Sequence, residues 1–461
     1  MTRRLLALAC AAATALPAAA WAQDLLTVWR AAAGHDRQLA VARAEHGATQ
    51  TLREQADALG RPSLSLAVGA GLGAQDTAMR GARFSAPGMG PVDEARFATS
   101  VDAGLATRVA VVAQQPLVNA ARDAQRAQLR LGADMGDTAW RGAQSELMLR
   151  TAERYLALAL AEERVRVLGR QLRALEQARD EAHERYRLGS SPITDTHEAD
   201  AALAGARAQQ AAALLEADTR RRVLVDSTGL AGLTARLPAQ PLAPVPDAPG
   251  WDQAAQADNP RLRLLTEAVA VAEQKLRQQG AAGRATVDLV AQASLDRIAG
   301  HGDFGSARNR NLNAMVGVQL NIPIDASGLI GAQEREAVER LGKARAELDL
   351  AREEVGQQTR SAWQGLQTGA ARIAALQQAQ TASRARLDAT RLGHEVGDRT
   401  LLDVLNAEND HAQTVLALAQ ARSDQVLTRL KLAALADRLD EEVLAQVNAT
   451  LAAPASQESL P

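Results

Sequence analysis

Strict alternation of apolar and polar positions marks a few short segments of the chain, and a three-to-four spacing marks most of the rest. In 311–322, Leu312, Ala314, Val316, Val318, Leu320 and Ile322 alternate with Asn311, Asn313, Met315, Gly317, Gln319 and Asn321. A period of two gives the two faces of a strand different chemistry. Leu64, Leu66, Val68, Ala70 and Leu72 alternate in the same way with Ser63, Ser65, Ala67, Gly69 and Gly71, and 101–113 and 285–295 do so less cleanly. The pattern predicts strands near 62–73, 100–114, 285–296 and 311–323, joined in pairs by Gly/Ser/Asp-rich loops at 74–95 and 299–310. Helical spacing takes over elsewhere. Val165, Leu168, Leu172 and Leu175 recur at coiled-coil intervals, as do Leu341, Ala344, Leu348, Ala351 and Val355. Residues 119–188 and 327–394 contain no proline, and 70 residues in one helix span about 105 Å. Each long helix ends at a glycine suited to a positive-φ turn, Gly189 or Gly397, and a second helix begins near Pro192 or Thr400. Residues 24–58 and 251–280 read as further helices.

The same order of elements occurs twice. Leu188–Asp195 aligns with Val396–Asp403 at an offset of 208, and Pro116 with Pro323 at 207. Upstream, Leu39 matches Leu262 and Gly60 matches Gly283, both at 223. The change of 16 predicts a longer loop in the first copy between Gly60 and Pro116. A tandem duplication follows, with repeats at 23–236 and 251–440, a linker at 237–250 and a tail at 441–461. The linker holds five prolines, which predict extended chain. Each repeat is a helix, a β-hairpin (62–114 or 285–323) and a long helical hairpin with its tip near 189–195 or 397–403.

Alternating strands suit either a half-buried sheet or a lipid-facing barrel with a polar lumen. Four strands close no barrel, since single-chain barrels start at about eight. A membrane sheet would therefore be completed by other copies, and a trimer gives twelve strands. Composition agrees with long helices rather than ordinary cores, because only 2% of the residues are aromatic while 47% are hydrophobic. A net charge of −2 offers no basic excess for nucleic acid. Residues 1–22 read as a secretory signal, with Arg3 and Arg4 before the apolar run Leu5–Leu16 and the small-x-small site Ala20-Trp21-Ala22. The single cysteine, Cys10, lies inside this segment without a lipobox, so the mature chain is expected to carry no disulfide and no lipid.

Arg399, Asp403 and Asn406 fall at i, i+4 and i+7, on one helix face, where the simplest reading is an exposed salt bridge. The seven histidines form no convincing metal-ligand spacing, and no phosphate loop or nucleophile elbow occurs. No enzyme, cofactor or metal is expected.

This organisation resembles the TolC family of trimeric outer-membrane channel-tunnels, from Asp24 to about Leu444. Val396-Gly-Asp-Arg-Thr-Leu-Leu-Asp-Val-Leu-Asn-Ala407 looks like the family's second periplasmic turn, and Arg185-Tyr-Arg-Leu-Gly-Ser-Ser-Pro-Ile-Thr-Asp195 like the first. The resemblance implies a mainly α-helical protein with a membrane portion: a trimeric 12-stranded β-barrel, four strands per chain, continued by an α-helical barrel. It also implies an outer-membrane location among lipid, a periplasmic adaptor, and an inner-membrane ABC or other transporter. The unlipidated branch serves type I protein secretion, including export of RTX toxins, and general efflux. At the tip the resemblance implies that Arg399 ties adjacent hairpins together through Thr194 and Asp195. Asp403 then rings the lumen, and Asn406 stands where the family often has a second acid. His394 stands where the family usually has a tyrosine, which implies a closure that responds to pH. A periplasmic adaptor and a structural trimeric coiled-coil surface protein stay open as other readings of the residues.

Overall fold

The computed structural model describes residues 24–88, 90–239, 248–303, 305–325 and 327–451. The expected signal, with Cys10, lies outside them, as does the middle of the proline-rich linker. The described chain is mainly helical with one sheet. Its elements are α1 (Leu25–His35), α2 (Arg37–Ala58), β1 (Ser63–Ala86), β2 (Gly90–Val118), α3 (Ala120–Arg187), α4 (Ile193–Thr228), α5 (Ala248–Asp258), α6 (Pro260–Ala281), β3 (Thr286–Gly302), β4 (Gly305–Asn321), α7 (Leu329–Glu395), α8 (Leu401–Leu435) and α9 (Glu441–Thr450). They form two compact units. One comprises 48–134 and 267–345, the other the remaining described residues.

The first unit holds the sheet, antiparallel in the order β1-β2-β3-β4. The β2–β3 pairing joins the two repeats, and β1 and β4 are the free edges. The strands are longer than alternation alone predicts. The expected loops at 74–95 and 299–310 are mostly strand, with turn residues at 87–88 and 303. Ladder hydrogen bonds come from the backbone, so Gly, Ser and Asp extend a hairpin once its register is set. The first repeat's surplus residues lie in these strands, of 24 and 29 residues against 17 and 17 in the second hairpin. The expected longer loop is therefore a longer hairpin.

In the helical unit, the expected continuous helices at 24–58 and 251–280 are each broken. Asp36 accepts from the Leu39 amide at 2.9 Å, starting α2. Asn259 accepts from the Leu262 amide at 3.2 Å and from Arg261 at 3.0 Å, starting α6. Asp36 and Asn259 are 223 positions apart, the offset of the duplication, so both repeats carry the same capped break. Both caps are buried and tied to a neighbouring helix. Asp36 meets Arg150 at 2.9 Å and Arg154 at 3.5 Å, and the Asn259 amide donates to the Leu435 carbonyl at 2.9 Å.

The largest core gathers Leu25, Val28, Tyr155, Leu156, Leu224, Leu430 and Leu444. Tyr155 reaches it with its hydroxyl, which accepts from the Arg236 amide at 3.1 Å. The expected tail contributes here, because residues 441–450 are α9, which buries Leu444 and Val447. Asn448 accepts from the Leu25 amide at 2.9 Å, and the Ala239 amide donates to the Thr450 carbonyl at 3.0 Å. The expected linker also gives way early, since α5 begins at Ala248 with Pro249 in its first turn. A missing N–H costs nothing there.

Candidate functional site

The two helical-hairpin tips have the same backbone. Gly189 and Gly397 adopt φ of +74° and +87°. The Ser190 amide bonds the Arg185 carbonyl at 2.8 Å, and the Asp398 amide bonds the Gly393 carbonyl at 2.8 Å. These six-to-one bonds close each long helix with a left-handed glycine. The helices that follow start differently. Pro192 caps α4 without a side-chain bond. Thr400 and Asp403 close a capping box on α8, with the Asp403 amide 3.2 Å from the Thr400 hydroxyl and the Thr400 amide 3.0 Å from the Asp403 carboxylate. The Thr400 amide, then its hydroxyl, and the Arg399 charge hold the Asp403 carboxyl below the usual range.

This capping box takes the carboxylate that the i,i+4 spacing offered to Arg399, and that bridge is not formed. Arg399 is exposed and, among the described residues, makes no ion pair. Its side chain crosses Gly393, where an added Cβ would stand 2.7 Å from the Arg399 Cγ. His394 bonds through Nδ1 to the Arg399 carbonyl at 3.0 Å, so its contact within the chain is to the turn itself. Thr194 and Asp195 lie in the first turn of α4 and Asn406 is exposed on α8. No hydrogen bond or ion pair joins these residues to Arg399 within one protomer, among the described residues.

Beneath the tips, Leu175, Ala199 and Leu203 of the first hairpin pack with Leu401 and Leu405 of α8. Beside them lies a groove of about 310 Å³ bordered by Glu181, Arg391, His394 and Glu408. Arg391 pairs with the nearly buried Glu408 across α7 and α8. The sequence reading missed this pair, because two antiparallel helices bring together residues with no local spacing. Gly393 was legible only as a second glycine four positions before Gly397. His183 bonds Asp200 at 3.2 Å, and no group of potential metal ligands occurs among the described residues.

In the sheet unit, the register aligns one apolar face across all four strands. Leu66 opposes Val111, Val111 opposes Ala293, and Ala293 opposes Ala314. Leu64, Leu66, Val68, Leu72, Leu312, Val316 and Leu320 on this face are exposed, at 60–92%. The other face carries Gly69, Arg108, Asp296 and Asn311 in one row. Arg108 and Asp296 pair there at 3.4 Å.

Residues 251–437 match the family model described as outer membrane efflux protein. The outer membrane efflux protein BepC of Brucella suis biovar 1 is 34% identical over 58% of this chain and 57% of its own length. The alkaline protease secretion protein AprF of Pseudomonas aeruginosa is 29% identical over 68% of this chain and 66% of its own. The chain thus spans somewhat under two thirds of each of these two relatives. The outer membrane protein TolC of Vibrio cholerae is 25% identical over 96% of this chain and 97% of its own. The crystal structure of the outer membrane protein VceC from Vibrio cholerae superposes with a TM-score of 0.72 at 18% identity, covering 90% of this chain and 97% of that one.

Proposed function

Because the chain belongs to the TolC family of outer membrane efflux proteins, we propose that it is the outer-membrane channel of an exporter in a Gram-negative cell. The observation that carries this reading is the sheet, with two free edges, one exposed apolar face and one polar face. In water such a face and such edges invite aggregation. Hydrocarbon satisfies the face, and a membrane tolerates no open edge, so the sheet must close on other copies through β4 and β1. Two copies would give eight strands, an interior that side chains fill. Three give twelve, and Gly69, Gly71 and Gly73 on the inner face leave the lumen wide.

In this homotrimer the long helical hairpins form the periplasmic conduit and their tips form its gate. Arg399 of one hairpin reaches Thr194 and Asp195 of another, a reading supported by its having no ion pair within its own protomer among the described residues. Asp403, kept ionised by its capping box, presents an acidic ring, and Asn406 a neutral one. A periplasmic adaptor and an inner-membrane ABC or other transporter complete the exporter. The likeness to a protease secretion protein favours protein cargo by type I secretion, and the likeness to an efflux protein favours small molecules. The test is purified full-length protein on unheated gels and in planar bilayers. A heat-sensitive trimer with discrete conductance steps is the expected outcome. A monomer that leaves the bilayer silent overturns the channel reading.

A further inference from the structure

Along β4 the apolar face runs from Leu320 through Val318, Val316 and Ala314 to Leu312, and then changes chemistry abruptly. The next two positions on the same face are Arg310 and Arg308. On β3 the corresponding run ends at Leu295, and the next position is Arg297, which directly opposes Arg310. Arg308 opposes Ala299, the next position on that face of β3. All three arginines are exposed and, among the described residues, none has a hydrogen bond or an ion pair. Like charges facing each other across a ladder destabilise it unless something neutralises them. This face of β3 and β4 offers no acid at any position. The acids of β3, Asp288 and Asp296, point to the other face, where Asp296 is already paired with Arg108. The neighbour on β2 opposite Arg297 is Thr107.

The spacing identifies what neutralises the cluster. Leu312 to Leu320 is nine residues, within the roughly nine to eleven that a tilted strand needs to cross the hydrocarbon of a membrane. On β3 and β4 the arginines begin one row beyond that apolar run, towards the hairpin end where Gly302 pairs with Gly305. On β3 and β4 the outer-membrane reading puts the change from hydrocarbon to headgroups here, while on β2 and β1 the apolar face continues through Leu105 and Leu72 in the ladder row of Arg308, a ladder row being inclined to the membrane plane when strands tilt. Guanidinium groups bind phosphate through paired, charge-assisted N–H donors.

We propose that Arg297, Arg308 and Arg310 bind the phosphate groups of an anionic glycolipid whose acyl chains lie against the adjoining apolar rows. The proposal rests on the outer-membrane reading above. The probe is bisphosphorylated lipid A, added to the full-length protein in neutral detergent. Native mass spectrometry and thermal unfolding are the readouts. Bound lipid A and a raised melting temperature are expected, with dephosphorylated lipid A and inorganic phosphate giving neither. R297Q/R308Q/R310Q should bind lipid A at least about tenfold more weakly, while lysine replacements retain part of the binding. Equal binding of phosphorylated and dephosphorylated lipid by the unaltered protein overturns the proposal, whether or not the variant folds. So does a variant that binds as tightly, or one whose trimer is equally weakened without lipid, since the arginines would then serve the seam between subunits. Bilayer conductance of the unaltered protein separates the two readings, because a conducting trimer that ignores lipid phosphate sinks only this one.

Discussion

At the residue scale, the tip is a set of side chains whose partners are divided between the chain and its surroundings. Asp403 is committed to its own backbone through Thr400, whereas the side chains of Arg399 and Asp195 have no hydrogen bond or ion pair among the described residues. Replacing Arg399 by Ser, alone or with Asp195→Ala, is expected to raise single-channel conductance in planar bilayers. Each exposed link is worth only about 0–1 kcal/mol, but symmetric copies add within a two-state gate. Unaltered conductance in both variants would leave Arg399 an ordinary surface charge. His411 gives a second handle. It meets the Ser383 hydroxyl at 2.9 Å, and burial, then the Arg384 charge, push its pKa below 6.5 against the opposing pull of Glu408. Arg170 and Asp388 also face it. A histidine with a lowered folded pKa is favoured in its neutral form. Its stabilising contribution is therefore complete above 6.5 and is lost as pH falls through and below that value. Thermal unfolding between about pH 7 and pH 5 should show this loss, and His411→Gln should flatten the slope. Parallel curves would assign the acid sensitivity to other groups.

At the element scale, alternation located four strands but stopped short of their ends. The apolar run that creates the signal covers only part of each ladder, and the remainder is held by backbone pairing that leaves no apolar period. Which residues of a strand share a face followed from the alternation, because a shift of one residue exchanges the faces, whereas the pairing of residues between strands did not. Cysteines at Leu312, Val316 and Leu320 should react with lipid-phase probes in the reconstituted protein. Cysteines at Asn313 and Gln319 should react with water-soluble probes that enter the lumen. Inverted labelling would mean that the sheet presents its other face to lipid. The helix breaks at Asp36 and Asn259 were hidden by continuous helical spacing on both sides. What fixes them is a cap satisfied by distant groups, Arg150 and Leu435, which no local window contains.

At the scale of the whole molecule, the segment written off as a tail is part of the largest core. Residues 441–450 bury Leu444 and Val447 and anchor the Leu25 amide through Asn448. Truncation after Asp440 should lower thermal stability by at least about 2–5 kcal/mol, the usual loss for emptying one large buried side chain. Circular dichroism melts of the full and truncated chains measure it, and coincident melts would show α9 to be dispensable. Composition, periodicity and the duplication by themselves determined the helical class, the strand pairs and the hairpin turns at Gly189 and Gly397. Those features are written in local spacing or in a repeat that can be compared with itself. Tertiary structure alone decided that Asp403 caps its own helix, that Arg391 pairs with Glu408, that β2 pairs with β3, and that α9 closes on α1. The backbone can claim a carboxylate before a neighbouring arginine does, and groups far apart in sequence meet only once the long helices and the sheet are in place.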